Sequence, residues 1–159
     1  MEIKKLANIS LNFIIKRFIE LFGSVIFVIS IFLLISLISY SPEDPNFIFP
    51  ENTEIQNILG FKGSFTSDLF FQSLGLISMF ISISLFFTGI NIIRSKQIFL
   101  LITNLFYTIL YSLLGALFFS VFYPNSFWLS INGNGGFVGK FLDKTFLASL
   151  INLNQEISY

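Results

Sequence analysis

The sequence predicts an all-α polytopic membrane helix bundle, with three transmembrane helices and short amphipathic helices in the external loops. Three observations carry this. First, Phe22 to Ser41, Leu69 to Ile93 and Ile98 to Gly139 contain no charged residue, the last being densely apolar up to Phe122. A helix needs roughly 20 apolar residues to cross a hydrocarbon core about 30 Å thick, and each run is long enough. Second, 54% of the residues are hydrophobic, 23 are Phe, and 11% are charged, less than half the roughly 25% charged residues of soluble domains. Third, the charges are sorted by segment. Lys4, Lys5, Lys16, Arg17, Arg94 and Lys96 precede the first run or lie between the second and third. Glu43, Asp44, Glu51, Glu54, Asp68, Asp143 and Glu156 fall in the other two loops, beside only Lys62, Lys140 and Lys144. Because basic loops stay inside, the N-terminus and the turn at Arg94 to Lys96 are expected in the cytoplasm, and the segments after Tyr40 and Phe122 outside.

Residues 1–20 form a basic lead-in where Ile3, Ala7, Leu11, Ile14 and Phe18 recur at helical spacing. It reads either as an amphipathic helix along the inner leaflet or as a polar entry to the first span. Residues 21–40 are the first transmembrane helix. Their apolar core exceeds the about 7 to 15 residues of a signal sequence, and large side chains crowd the place of a cleavage site, so the segment is read as a retained anchor. Residues 41–68 form an external loop. Pro42 and Pro45 fix φ and stop the helix, and Asp44, directly before Pro45, is pushed toward an extended conformation. The cluster from Ser41 to Pro45 reads as a loop staple, with a partner contact by Glu43 and Asp44 as the other reading. Residues 69–93 are the second transmembrane helix, 94–97 a cytoplasmic turn, 98–122 the third transmembrane helix, and 123–159 a second external loop. Phe47, Ile48, Phe49 and Trp128 are external side chains suited to the membrane interface or the loop helices.

The two external loops echo each other. Shifting the sequence by 76 positions places Gly60, Phe61, Gly63, Phe65, Phe70, Ser73 and Leu74 on Gly136, Phe137, Gly139, Phe141, Phe146, Ser149 and Leu150, seven identities in fifteen positions. Two glycines three apart suit a tight turn before an amphipathic helix returning to the membrane. In the first copy the helix of Phe65 to Leu74 runs on into the second span; the second, Phe141 to Ile151, points toward a further span, so the chain is expected to end one span short of two parallel halves.

The spans offer packing rather than chemistry. Gly75, Ser78, Ser82 and Gly89 follow a seven-residue seam, and Asn104, Thr108, Ser112 and Ala116 step by four along one face. Small residues let helices approach closely, and each polar one adds about 0.6 kcal/mol when it hydrogen-bonds across an interface. Such seams suit association within one chain or between copies. The chain has no Cys and no His, which removes thiolate nucleophiles, imidazole bases, His or Cys metal sites and disulfides. No acid lies inside a predicted span, unlike the usual proton relay. The Gly-rich stretch Asn132 to Lys140 has Asn134 where a P-loop needs Gly and Phe141 where it needs Ser or Thr. No catalytic residue, cofactor site, metal site or direct nucleic-acid contact is therefore expected, because the few cations also sit at membrane boundaries.

The segments LISYSPEDPNF (Leu37 to Phe47), LGFKGSFTSDLFFQSLG (Leu59 to Gly75) and NGNGGFVGKFL (Asn132 to Leu142) resemble the N-terminal four-span membrane region of the FtsK/SpoIIIE DNA translocases. The likeness extends from about Ile14 to nearly the end of the chain, and its specific parts are the Tyr-Ser-Pro-x-Asp-Pro turn and the Gly-x-x-Gly and Ser-Asp-Leu motifs. The resemblance implies a bacterial inner-membrane protein at the division septum, tethering a cytoplasmic hexameric ATPase that pumps chromosomal DNA. The motor and fourth span are missing from this sequence, so the resemblance implies an anchoring and assembly region without enzymatic activity. Its implied partners are the lipid bilayer, further copies of itself and other division proteins. A small transporter or channel subunit, with its Ser, Thr and Asn faces lining a polar path, is the alternative; a membrane enzyme using Asp68, Asp143 and Glu156 is weaker, since nothing in the sequence clusters them.

Overall fold

The structure, a computed structural model, describes residues 2–45, 54–129 and 131–147. Among these residues it is all helical: α1 (Glu2–Ile38), α2 (Gly60–Leu74), α3 (Ser78–Ser95), α4 (Phe99–Phe122) and α5 (Gly136–Leu142). A short 3-10 turn, Gly75–Ile77, joins α2 to α3, and a π-helical turn, Asp143–Leu147, follows α5. Phe47, Ile48, Phe49, Ser149, Leu150 and Glu156 lie outside the described residues, as do the positions beyond Leu147 where the second loop helix is expected to continue; nothing is described of the Phe146 side chain. Among the described residues, three segments are long and apolar enough to cross a membrane: Asn8–Ile38, Gly60–Ser95 and Phe99–Phe122. The basic lead-in and the first span are one uninterrupted helix.

The second apolar run behaves differently from a plain span. As a straight helix, the 36 residues of Gly60–Ser95 would be about 54 Å long, far beyond a hydrocarbon core of about 30 Å. The helix breaks at Gly75, whose φ is 72°, a left-handed value costly for any residue with a Cβ. Ser78 Oγ then bridges the break by donating to the Phe70 carbonyl (2.8 Å). The break also corrects the expected seven-residue seam: Gly75 is the hinge between two helices, and only Ser78, Ser82 and Gly89 share α3.

α1 packs most extensively on α3. A Cβ on Gly89 would stand 2.8 Å from the Phe27 backbone nitrogen, so the two backbones meet there. The Phe27 and Phe86 rings lie 4.8 Å apart beside this crossing. Gly23 lies against the side chain of Ile92, which is fully buried. Few side chains are otherwise enclosed: long apolar residues such as Phe32 (54% exposed), Phe99 (76%) and Phe106 (64%) face outward. In water such a surface would drive aggregation, and a bilayer is the solvent that suits it.

At the turn expected on the cytoplasmic side, Lys96 takes a left-handed φ of 56° and its amide caps α3 on the Ile92 carbonyl (2.8 Å). Its Nζ pairs with Glu20 (2.7 Å), which also pairs with Arg17 (2.6 Å). This three-residue cluster ties α1 to the α3–α4 turn.

Candidate functional site

The polar residues concentrate at the loop end of the bundle. Asp44, only 3% exposed, receives two backbone amides: Gln56 N–H on Oδ1 (2.8 Å) and Asn57 N–H on Oδ2 (2.9 Å). Asn57 in turn donates its side-chain amide to the carbonyls of Ser36 (2.9 Å) and Ser39 (3.1 Å) at the end of α1. Its Oδ1 accepts from Leu59 N–H (3.1 Å), shaping the turn into Gly60. Ser64 Oγ donates to the Pro45 carbonyl (2.8 Å). Both ends of the first loop are thus clamped to each other and to α1. Ser41 accepts the Glu43 amide at 3.3 Å, and Pro42 occupies the tight turn that presents Asp44 inward. The Asp44 carboxylate is thus buried and engaged by two loop amides, while Glu43 beside it is exposed.

Asp68 sits one helix further in, 8% exposed. Tyr40 O–H donates to its Oδ1 (3.4 Å) and Gln72 Nε2 does the same (3.3 Å). The Tyr40 ring rests on Phe71, centroids 4.9 Å apart. Tyr40, Asp68 and Gln72 thus form one hydrogen-bonded group beside the Asp44–Asn57 clamp.

The sequence echo has a structural counterpart. Gly60 and Gly136 both begin a helix with φ 64°. Each amide closes the same kind of turn, Gly60 N–H to the Asn57 carbonyl (2.8 Å) and Gly136 N–H to the Gly133 carbonyl (3.2 Å). Each helix lies on the span that precedes it, and the second glycine of each pair sits in a crowded place: a Cβ on Gly63 would meet the Asn57 and Leu59 side chains of its own turn. Gly63 presents its carbonyl to Ser36 Oγ of α1 (2.6 Å). Gly139 sits where a Cβ would stand 2.2 Å from the Ala116 carbonyl of α4. Each half is thus a span with a short Gly-x-x-Gly helix folded back onto it.

The halves interlock through the second loop. Asn134 approaches the break at Gly75 so closely that a Cβ on Gly75 would fall 1.9 Å from the Asn134 carbonyl oxygen. That oxygen accepts the Leu76 amide at 2.9 Å, satisfying a donor the break leaves without a helical partner. Gly136 abuts the same point, where a Cβ would stand 2.5 Å from the Gly75 nitrogen. Asn132 Nδ2 donates to the Gln72 carbonyl at 3.2 Å, and Leu129, 1% exposed, enters the core formed by Leu33, Leu37 and Phe71. Trp128 stays outward at 59% exposure.

The polar face of α4 is divided in use. Asn104 Nδ2 donates to Thr88 Oγ1 of α3 (3.0 Å), and Tyr111 O–H lies 2.8 Å from Ser84 Oγ. Ser112 bonds back to its own helix at the Ile109 carbonyl (2.9 Å), while Ala116 is fully covered at Gly139. Beside Asn104 and Thr108 runs a cleft of about 240 Å³ shared with Ser84 and Thr88. No buried side-chain nitrogen or oxygen among the described residues lacks a hydrogen-bond partner. Sequence reading missed Asn57, Glu20 and the crossing of Gly75 with Gly136. Asn57 and Glu20 stand alone in type and spacing, and a single Gly within an apolar run gives no sign of whether it packs or breaks a helix.

Comparisons with individual curated proteins and with solved structures give no match. A family model does match, that of the 4TM region of DNA translocase FtsK/SpoIIIE, over residues 15–154. This range takes in nearly all of the three span-length segments, the Asp44 clamp and both Gly-x-x-Gly helices, and the chain therefore belongs to the FtsK/SpoIIIE 4TM family.

Proposed function

We propose that this chain is the membrane-anchoring and assembly region of a septal DNA translocase acting in cell division and chromosome segregation, working by packing and without chemistry of its own. The N-terminus lies in the cytoplasm, the two clamped loops lie outside, and the motor is supplied by other sequence. The family match supports the translocase assignment. The observation that carries the anchoring role is the complete internal pairing of the buried polar side chains among the described residues. Asp44, Asn57 and Asp68 are committed to holding backbone and neighbouring side chains, which leaves them unsuited to proton relay or substrate binding. A transporter reading would need the cleft beside Asn104 to continue across the bilayer, yet Ala116 further along the same face is sealed by Gly139.

A fluorescent protein fused to the N-terminus tests the reading in dividing bacteria. Enrichment at midcell at the time of constriction is expected. Uniform distribution around the membrane at every stage of the cycle overturns the septal assignment.

A further inference from the structure

On the side of the bundle where α1, α2 and α3 meet, a cavity of about 490 Å³ opens below the first loop. Its walls are apolar: Ile29 and Leu33 of α1, Phe70 of α2 and Leu85 of α3. The polar exceptions are Ser36, Thr66 and Lys62. Ser36 Oγ is engaged by the Gly63 carbonyl (2.6 Å) and Thr66 Oγ1 by the Lys62 carbonyl (2.7 Å). The ammonium of Lys62 is exposed and forms no ion pair among the described residues. The cavity thus offers a long apolar body with one uncommitted positive charge at its mouth.

Its position in the membrane fits that shape. Lys62 sits beside Gly63, level with Ser36, within a turn of the end of α1 at Ile38. From Ser36 down to Ile29 the groove descends about 10 Å along α1 at the helical rise of about 1.5 Å per residue, which leads from headgroup depth into the acyl region. Its volume lies within the about 300 to 1,000 Å³ range of ligand sites. A flexible Lys stem can lie along such a wall while the ammonium stays at the headgroups.

We propose that this groove is a binding site for an anionic phospholipid of the leaflet on the loop side, one acyl chain lying between α1, α2 and α3 and the phosphate pairing with Lys62. Charge complementarity selects the occupant. The uncharged runs Phe22 to Ser41, Leu69 to Ile93 and Ile98 to Gly139 of a second copy carry no acid to meet the ammonium, whereas a phospholipid supplies both an acyl chain and an anion.

The full chain, purified in mild detergent and incubated with equimolar phosphatidylglycerol and phosphatidylcholine, is probed by native mass spectrometry. One phosphatidylglycerol is expected to be retained in preference to phosphatidylcholine. Lys62→Gln lowers that preference about fivefold, the effect of removing one lysine near an anionic lipid surface, and Lys62→Arg keeps it. Thr66→Phe, which fills the groove, removes the retained lipid while circular dichroism shows unchanged helix content. Equal retention of both lipids, or a preference indifferent to Lys62→Gln, overturns the proposal. So does disulfide-linked dimerisation of Phe32→Cys in membranes, which would place a second copy in the groove.

Discussion

The close approach of Gly75 and Gly136 makes a prediction that separates backbone conformation from packing. Gly60 and Gly136 share a φ of 64°, but a Cβ on Gly60 meets nothing within 4 Å, while one on Gly136 stands 2.5 Å from the Gly75 nitrogen and 2.7 Å from two Leu74 backbone atoms. Gly60→Ala should therefore cost only the left-handed penalty of about 1–2 kcal/mol. Gly136→Ala adds an overpacking cost of about 1–3 kcal/mol, because backbone atoms cannot rotate away, for a total of about 2–5 kcal/mol from the two terms together. The shift required would also strain the bond from Leu76 N–H to the Asn134 carbonyl. Both variants are compared by equilibrium unfolding in mixed micelles of dodecyl sulfate and a mild detergent. Equal destabilisation of the two would show that the halves do not meet at this point.

Three further outcomes follow from the same geometry. Asp44→Asn replaces one acceptor by an amide facing a backbone N–H, a loss of about 1.5–3 kcal/mol for a charge-assisted bond; hydrogen exchange should accelerate at the Gln56 and Asn57 amides, and unchanged protection there would refute the clamp. Ala116→Leu should destabilise by about 1–3 kcal/mol through overpacking against Gly139, whereas Asn104→Leu should cost about 0.6 kcal/mol, and the unfolding assay should rank them in that order. Glu20→Gln should speed exchange at the Lys96 amide with little change in global melting temperature, since the ion pairs it loses are local to the α3–α4 turn.

The spans were legible because charge is so costly in hydrocarbon that segments crossing it exclude charged side chains over about twenty residues, a pattern that water-facing helices do not keep. The Gly-x-x-Gly echo was legible because two glycines at matching offsets mark backbone positions that other residues resist, and Gly60 and Gly136 adopt the same left-handed φ. What escaped sequence reading involved partners far apart in the chain. Asp44 and Asn57 are thirteen residues apart, and Gly75 and Asn134 meet across the two halves; no local period encodes such pairs. Gly75 itself fell on a seven-residue pattern that fitted a packing seam as well as it fitted a hinge. The small residues of α4 likewise look alike in sequence, though Asn104 bonds to α3, Ser112 bonds to its own helix and Ala116 receives a loop helix.

Because the chain contains no cysteine, single-cysteine labelling tests the membrane arrangement directly. Glu54→Cys, Asn125→Cys and Gln97→Cys each introduce a thiol at an exposed position in a different connection between helices. In spheroplasts treated with a membrane-impermeant maleimide, the first two should react at once, and Gln97→Cys should react only after permeabilisation. Immediate labelling of Gln97→Cys with protection of the other two would invert the orientation and rule out an anchor that faces its clamped loops outward.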